Sequence, residues 1–532
     1  MTDAPSVLSD RIHAVEGGPD RRNAVTLNAW YRLSLADVVF LVLAIGILLN
    51  ARGGTLDDPG LGWHIRDIDA ILAQKGFLTE DPFSGPRAGQ PWYTNQWLGD
   101  LLLWLGDRWA GLTGIAAVTA LVLAFTYRCL YGMLRTDGVS APAAALWTLL
   151  AALGSYTAWQ ARPNLLSMLF LLLTVRLCER FHEGKCSWRR LLWLGPLFAV
   201  WANTHGAFVG GLLTLAVAVV IEAALGVLHS NPEKRRAARE RSLHLSLATL
   251  GAGVCTLLNP YGWKLYPWIF QLLGNPYFMD LNFDWRSSDF HASGAFRFEL
   301  LMLLFPAVLA LSRRRPNLVG LGLSLFWLHL ALSGQRYVPL WVVAAVPTMA
   351  RAAAGIPWLR AIADRFTPQA SAHSVARPVA WLGTAVVALG VLVWAHNSPS
   401  FARHNPALIP ADALDRVLEE SRDGNPVVFH EYNWGGYLTW HGWPNFHTWI
   451  DDRNEVQGEA HIKEFFAVRN AEPGWEEKLS GVEIVAVHPA TPLAQRLAHD
   501  PRWRKLYPED ENAVVFRRVP TDMTEGSQAD RP

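Results

Sequence analysis

Residues 34–51 read SLADVVFLVLAIGILLNA, and shortly after them residues 57–69 read DDPGLGWHIRDID. The first stretch holds one carboxylate in eighteen apolar or small positions, the length a helix needs to cross a bilayer with every amide paired. The second is polar, opens on two adjacent aspartates and turns amphipathic. A spanning helix followed at once by a loop able to carry chemistry is the pattern from which the rest of the chain is read.

Beyond the first run, about ten more apolar stretches are long enough to be spans. They lie near 111–134, 142–160, 164–181, 191–204, 206–228, 243–259, 297–312, 318–334, 338–350 and 378–396. Lys and Arg collect in alternate loops, and basic loops stay on the cytoplasmic side. Glu233 to Arg241, the triplet Arg313-Arg314-Arg315, Lys185 with Arg189 and Arg190, and the N-terminal Arg21, Arg22 and Arg32 fall on one side of this count. An odd number of spans then predicts residues 52–110, 260–296 and everything after 397 on the outer face. The first apolar run begins near Leu33 and continues at spanning length, so it reads as an anchor and not a cleaved signal.

The expected class is therefore a mainly α polytopic membrane bundle of about eleven spans with a soluble α/β domain on the outer face. Residues 1–33 form a cytoplasmic segment, 34–396 the transmembrane domain with its outer loop 52–110, and 397–532 the outer domain. In that last part 411–422, 457–468 and 493–499 read as helices, and 426–430, 446–450, 482–487 and 513–516 as strands. Residues 352–376, with Pro357 and Pro368, read as a linker carrying a short surface helix.

Composition narrows the function. The chain has 532 residues, 51% apolar and 17% charged, with a net charge of +1, which offers nucleic acid no bulk attraction. None of the four cysteines, Cys129, Cys178, Cys186 and Cys255, falls in an outer segment, so disulfides are not expected. P-loop, Gly-rich dinucleotide, His-Glu-x-x-His and Gly-x-Ser-x-Gly signatures are absent.

In the first outer loop, Trp63 to Leu72 is predicted to be an amphipathic helix lying on the bilayer surface, with Ile65, Ile68, Ile71 and Leu72 on one side. It would hold Asp57, Asp58 and His64 at the water boundary with Arg66 as a counter-charge. Two carboxylates and an imidazole suit a general base, or a divalent cation (Mg or Mn) ligated by Asp58. The plainer alternative is that Asp57 or Asp58 caps the helix. Elsewhere, Asn203-Thr204-His205-Gly206 interrupts an apolar stretch where two spans turn, and His205 is costly at that depth unless it has a role or a partner. Asp280 and Asp284 are possible second carboxylates. Trp263, Tyr266 and Trp268 read as interfacial belt residues. His430, Glu431, Trp434, Tyr437, Asp451, Asp452 and Arg453 sit near strand ends, where open α/β sheets bind ligands or where a turn network holds two strands.

The first span, Asp58-Pro59, an aromatic, a polar residue, Arg66 and Gly76 resemble the first outer loop of the C-type (GT-C) glycosyltransferases, nearest to the catalytic subunit of oligosaccharyltransferase. Gly89-Gln90-Pro91-Trp92-Tyr93 is similar to that loop's Trp-Tyr-Pro end. Trp434-Gly435-Gly436-Tyr437-Leu438, leading to Trp449-Ile450-Asp451-Asp452-Arg453-Asn454, resembles its Trp-Trp-Asp-Tyr-Gly segment and the turn after it. Here Gly435-Gly436 stands where that motif has Asp-Tyr, so acceptor-serine recognition does not carry over. More of the chain resembles a poorly characterised group of bacterial polytopic membrane proteins with Asp-Pro-x-Leu-x-Trp-His, Ala-Arg-Pro, Asn-x-His-Gly, Leu-Asn-Pro-Tyr-Gly and Trp-Gly-Gly-Tyr-Leu. All five occur, at 58–64, 161–163, 203–206, 258–262 and 434–438.

The resemblance implies a transferase of the bacterial inner membrane, working at the outer (periplasmic) face on a sugar carried by a polyprenyl phosphate or diphosphate. It makes Asp58 the catalytic aspartate, with Asp57 and His64 as lesser candidates. Arg336, Arg162, His205 and Arg66 are then candidates for gripping the donor phosphate, since a guanidinium binds phosphate bidentately. Arg162 and Arg336 can equally snorkel to lipid headgroups. Trp434, Tyr437, Asp451, Asp452 and Arg453 are the candidates for the acceptor. Membrane lipids are the other expected partners. Two rival readings remain, a flippase of lipid-linked saccharides and a non-catalytic assembly protein.

Overall fold

The structure, a computed structural model, describes residues 34–52, 54–292, 294–366, 381–422, 426–506 and 511–519. The N-terminal segment 1–33, with Arg21, Arg22 and Arg32, lies outside them, as do 367–376 of the expected linker.

Each of the apolar runs is helical over most of its length. In chain order the helices are α1 (Leu35–Leu49), α2 (Leu61–Gln74), α3 (Trp97–Thr136), α4 (Ala141–Gly154), α5 (Leu165–His182), α6 (Leu194–Thr204), α7 (Phe208–Leu228) and α8 (Pro232–Cys255). After them come α9 (Leu265–Leu273), α10 (Pro276–Leu281), α11 (Phe296–Leu311), α12 (Leu318–Ser333), α13 (Val338–Ala353), α14 (Pro357–Arg365) and α15 (Leu382–His396). Leu35–Arg52, Trp97–Thr136 and Phe208–Leu228 are long and apolar enough to cross a membrane, and α13 bends by 90° into α14, the short helix expected after 352. Along α1, Val39, Phe40, Leu43, Ala44 and Ile47 are buried while Leu35, Val38, Val42, Ile45 and Leu49 remain exposed. A helix apolar on both faces belongs in lipid, and the chain is a membrane protein.

Helix α3 breaks at Ala110 and Gly111, where Gly111 takes φ +56°. A Cβ on Gly114 would stand 1.9 Å from the Gly106 carbonyl, so the two limbs meet backbone to backbone.

The C-terminal part contains α16 (Ala411–Glu420), β1 (Val427–His430), α17 (Gly435–Gly442), α18 (Asn454–Arg469), α19 (Trp475–Lys478), β2 (Val482–Val487), α20 (Pro492–Leu497), β3 (Trp503–Lys505) and β4 (Val514–Arg518). The sheet order is β1-β2-β4-β3, parallel between β1 and β2 and antiparallel elsewhere. This is the expected α/β alternation, with two differences. The strand expected at 446–450 does not form, because Thr448 makes single bridges to Val428 and to Ser84 of the first loop and so joins that loop to β1 in place of extending a ladder. The Gly435-Gly436 segment is a helix.

The second difference also corrects the reading of α2. Its exposed-face prediction fails because protein covers both sides: Trp63, His64, Asp67 and Ala70 are buried as well as Leu61, Ile65 and Ile68. Helix α3 packs on one side and α17 on the other. The α2–α17 contact is close enough that a Cβ on Gly62 would lie 1.9 Å from the Gly436 carbonyl, and one on Gly436 1.9 Å from the Pro59 carbonyl.

Overpacking at such a contact costs about 1–3 kcal/mol. Gly436→Ala is therefore expected to lower the thermal unfolding midpoint of the detergent-solubilised protein, and Gly251→Ala, in α8 with nothing within 4 Å of the added carbon, to cost less. Equal midpoints for wild type and G436A would contradict the packing.

Candidate functional site

The five motifs, scattered from 58 to 438, meet at one end of the bundle. Ala161 N–H donates to Thr55 O (2.7 Å), which pins Ala161-Arg162-Pro163 against the first loop. Trp97 Nε1 donates to Asn203 Oδ1 (2.8 Å), and Asn203 Nδ2 to Leu258 O (2.8 Å), joining the third and fourth segments to each other and to the start of α3. The Tyr261 hydroxyl lies 2.6 Å from Thr94 Oγ1 and donates to Leu78 O (2.8 Å). Chain-distant polar groups converge here because each closes a backbone or side-chain bond that lipid could not close.

At the centre stands Asp58, buried. Its Oδ1 accepts from Gly60 N–H (3.2 Å) and its Oδ2 from Arg162 Nε (2.8 Å); Gly60 is the N-cap of α2 and no side chain caps that helix, so the capping alternative is not realised. Arg162 Nη1 donates onward to Asp284 Oδ2 (3.2 Å). Asp284, one of the two expected second carboxylates, is thereby placed beside Asp58; Asp280 instead offers its carbonyl to Arg286. The turn holding Asp284 packs on the turn holding Arg336, through Gln335 N–H to Arg286 O (2.9 Å) and Gln335 Nε2 to Phe283 O (3.0 Å). The Arg336 guanidinium lies 3.9 Å from the Trp285 ring centroid. Among the described residues no acceptor takes its N–H groups.

The counter-charge of Asp58 is Arg162 and not Arg66. Arg66 Nε donates to Trp440 O (2.6 Å) and Nη1 to Asp69 Oδ2 (2.7 Å), which ties α2 to α17 and leaves Arg66 out of the donor-phosphate group. Asp57 is half-buried, and burial pushes its pKa up. His205 ends α6 in extended backbone, where its Nδ1 accepts from Ala207 N–H (3.1 Å). Burial, then the charges of Arg336 and Arg162, push its pKa down to about 3, so it is a neutral hydrogen-bonding group and not a cation for phosphate.

The acceptor candidates divide. Trp434 is buried with its indole N–H on Leu408 O (3.1 Å), and the Tyr437 hydroxyl donates to Asp415 Oδ1 (2.8 Å), so both serve the core of the C-terminal domain. Arg453 is fully buried, with Nη1 on Asp81 Oδ1 (2.6 Å) and Nη2 on Asp451 Oδ2 (2.6 Å). These four side chains have no surface to offer an acceptor as placed. Asp452 does: it is half-buried, its Oδ1 accepts from Trp63 Nε1 (2.8 Å), and its Oδ2 lies against Gly60. Burial first, then the negative charges of Asp58 and Asp451, raise its pKa to about 7.

Sequence reasoning missed Asp100, whose Oδ1 lies 2.8 Å from His64 Nδ1. The available signal was an acidic residue inside the apolar run from Trp97 to Leu105.

A divalent cation on Asp58 does not fit this arrangement. Both Asp58 oxygens are occupied by Arg162 and Gly60, and among the described residues no group of three or more His, Cys, Asp or Glu is placed to hold a metal. No step below runs through one.

No protein-family model matches the chain, and no curated protein matches it in sequence. In shape it is similar to the Archaeoglobus fulgidus oligosaccharyltransferase tethered with an acceptor peptide, at a TM-score of 0.51 and 12% identity, covering 91% of this chain and 74% of that one. A second match is ArnT from Cupriavidus metallidurans bound to undecaprenyl phosphate, at 0.48 and 14%, covering 94% and 97%. The fold is GT-C-like, as the first-loop resemblance implied.

Asp452 binds its proton more tightly in the folded chain than in the unfolded one. Its contribution is therefore greatest below the unfolded value of 3.8 and is lost as pH rises through about 7. Asp452→Asn, which keeps an acceptor for Trp63, is expected to raise the unfolding midpoint at pH 8 and leave it nearly unchanged at pH 4. A stabilisation that is equal at both pH values would contradict the raised pKa.

Proposed function

We propose that the chain is a glycosyltransferase that moves a sugar from a polyprenyl-phosphate (or diphosphate) donor to an acceptor at the outer face of the membrane. The observation that carries this reading is the linked set Asp58–Arg162–Asp284 beside Arg336, whose N–H groups meet no acceptor among the described residues. A lipid-linked phosphate entering between the helices meets two guanidinium groups, which neutralise charge as the sugar leaves. The neighbouring Asp452 and Trp285 offer a carboxylate and an aromatic face for sugar or acceptor hydroxyls. The GT-C-like fold supports the reaction class, and the match to a structure bound to undecaprenyl phosphate is in keeping with it.

On this reading Asp58 holds Arg162 toward the phosphate and shapes the mouth of the site. With undecaprenyl-phosphate-linked glucose, mannose or galactose in reconstituted vesicles, Asp58→Asn abolishes transfer while the protein still folds. Arg336→Ala weakens undecaprenyl phosphate binding by about tenfold, the worth of a charge-assisted contact. Full transfer by D58N alongside lipid movement across the bilayer would favour the flippase reading.

We place the catalytic end in the periplasm and the basic loops in the cytoplasm of a bacterial inner membrane, following the Lys and Arg distribution. Ala88 and Ser187 are both exposed. Cysteines introduced there, with Cys186 replaced by serine, should react with an impermeant maleimide from opposite sides of intact cells, Ala88→Cys from outside. Same-side labelling would overturn the topology.

A further inference from the structure

We propose that His64 and Asp100 form the proton-accepting dyad of the site, Asp100 holding the imidazole through Nδ1 while Nε2 takes the hydroxyl proton of the acceptor. This rests on the transferase reading above.

The two residues come from α2 and the first turn of α3, and the close packing of those helices brings His64 Nδ1 to 2.8 Å from Asp100 Oδ1. Asp100 is fully buried, and its Oδ2 has no partner among the described residues. A buried carboxylate with one free oxygen and one on an imidazole is poorly explained as a structural tie, because the unmatched oxygen costs desolvation that a Leu there would avoid. The imidazole is clamped against Trp63, ring centroids 3.6 Å apart, and Trp63 in turn holds Asp452. The other ring nitrogen, Nε2, has no partner among the described residues and is not one of the buried unpartnered atoms. It is left for something outside the chain.

Asp58, by contrast, is a poor base as placed. Both its oxygens are engaged, one by a guanidinium and one by the Gly60 N–H, so neither is free to take a hydroxyl proton. The groups that act on His64 are Arg162 from the Ala-Arg-Pro segment, His205 from the end of α6 and Arg453 from the C-terminal domain. Burial first, and then these charges, hold the His64 pKa well below the usual range, so the resting ring is neutral; Asp100 moves the other way, its pKa pushed well up by burial and then by the negative charge of Asp67 on α2.

The step balances without a co-reactant. The acceptor oxygen bonds to the anomeric carbon, the bond from that carbon to the phosphate oxygen breaks with its electron pair on the phosphate, and the acceptor proton passes to Nε2. Asp100 stabilises the imidazolium formed, and the proton later leaves to the departing polyprenyl phosphate or to water. Arg162 and Arg336 take the phosphate charge, and His64 takes the proton.

The test uses the full chain in vesicles of phosphatidylethanolamine and phosphatidylglycerol, with undecaprenyl-phosphate-linked glucose, mannose or galactose as donors and a cell-envelope extract as acceptor. His64→Gln is expected to lower kcat by about 10²- to 10⁴-fold, the usual worth of a positioned base, with undecaprenyl phosphate affinity within about twofold of wild type. Asp100→Asn, which removes a carboxyl whose pKa burial and Asp67 push up and whose ionised form supports the imidazolium, lowers kcat and displaces the acidic limb of the pH profile to lower pH. H64Q with kcat within about threefold of wild type overturns the dyad, as does loss of lipid binding in step with activity in both variants. If H64Q does not fold, the D100N profile decides, and an unmoved acidic limb overturns the proposal. Wild-type protein that transfers none of the three sugars overturns the transferase reading and the dyad together, whereas wild-type transfer that H64Q matches removes the dyad alone.

Discussion

The Arg453 guanidinium is fully buried, with Asp81 of the first loop on one side and Asp451 of the C-terminal domain on the other. The rings of Phe83 and Trp92 pack 5.0 Å from it. A charge in such surroundings is tolerable only while every partner stays in place, and removing one partner of a buried pair typically costs about 3–5 kcal/mol. The first loop and the C-terminal part of the chain are therefore coupled through a bond that cannot loosen by degrees. Asp452 follows Asp451 and is aimed at Trp63 because Arg453 fixes the turn, while Gly436 can rest on Pro59 because the domain is held that close. The surroundings of Asp58 are set by a C-terminal residue nearly four hundred positions away.

That dependence explains which parts of the structure were legible in the sequence. The apolar runs were legible because span length and lack of charge are local properties, and α2, α16 and α18 because helical periodicity is local too. What covers a helix is not local. The polar side of α2 reads as water-facing until α17 is seen packed on it, and Gly435-Gly436 reads as a departure from a motif until the Pro59 carbonyl is seen where a side chain would be. Residues 446–450 have strand composition, yet Thr448 spends its bonding on Phe83 and Gly85 of the first loop. Strand propensity records fitness for a pleated surface and says nothing of which partner supplies it.

The candidate site was legible in parts and not in its wiring. Asp58, Arg162, Asp284 and Arg336 could each be singled out as charges near span ends, but the order in which they touch depends on three turns meeting. His64 was visible beside Asp58, whereas its working partner lies 36 residues on in a helix otherwise given to packing. Arg66 shows the reverse: spacing put it near the site, and Asp69, three residues along the same helix, together with the Trp440 carbonyl, draws it away.

The charge arrangement carries a consequence for how a donor would enter. Arg162 is shared between two carboxylates, at 2.8 and 3.2 Å, so an arriving phosphate competes with Asp58 and Asp284 for the same N–H groups. Arg336 carries no such obligation and can engage first, held in place by the Trp285 face. On the reading proposed above, binding then proceeds from Arg336 to Arg162, and each N–H that Arg162 turns to the phosphate relaxes its hold on a carboxylate. Asp58 and Asp284 thus set how tightly the lipid is gripped: with them the guanidinium is oriented but partly satisfied, which allows the phosphate product to leave. A site built of two unopposed arginines would hold the spent lipid more firmly than turnover permits.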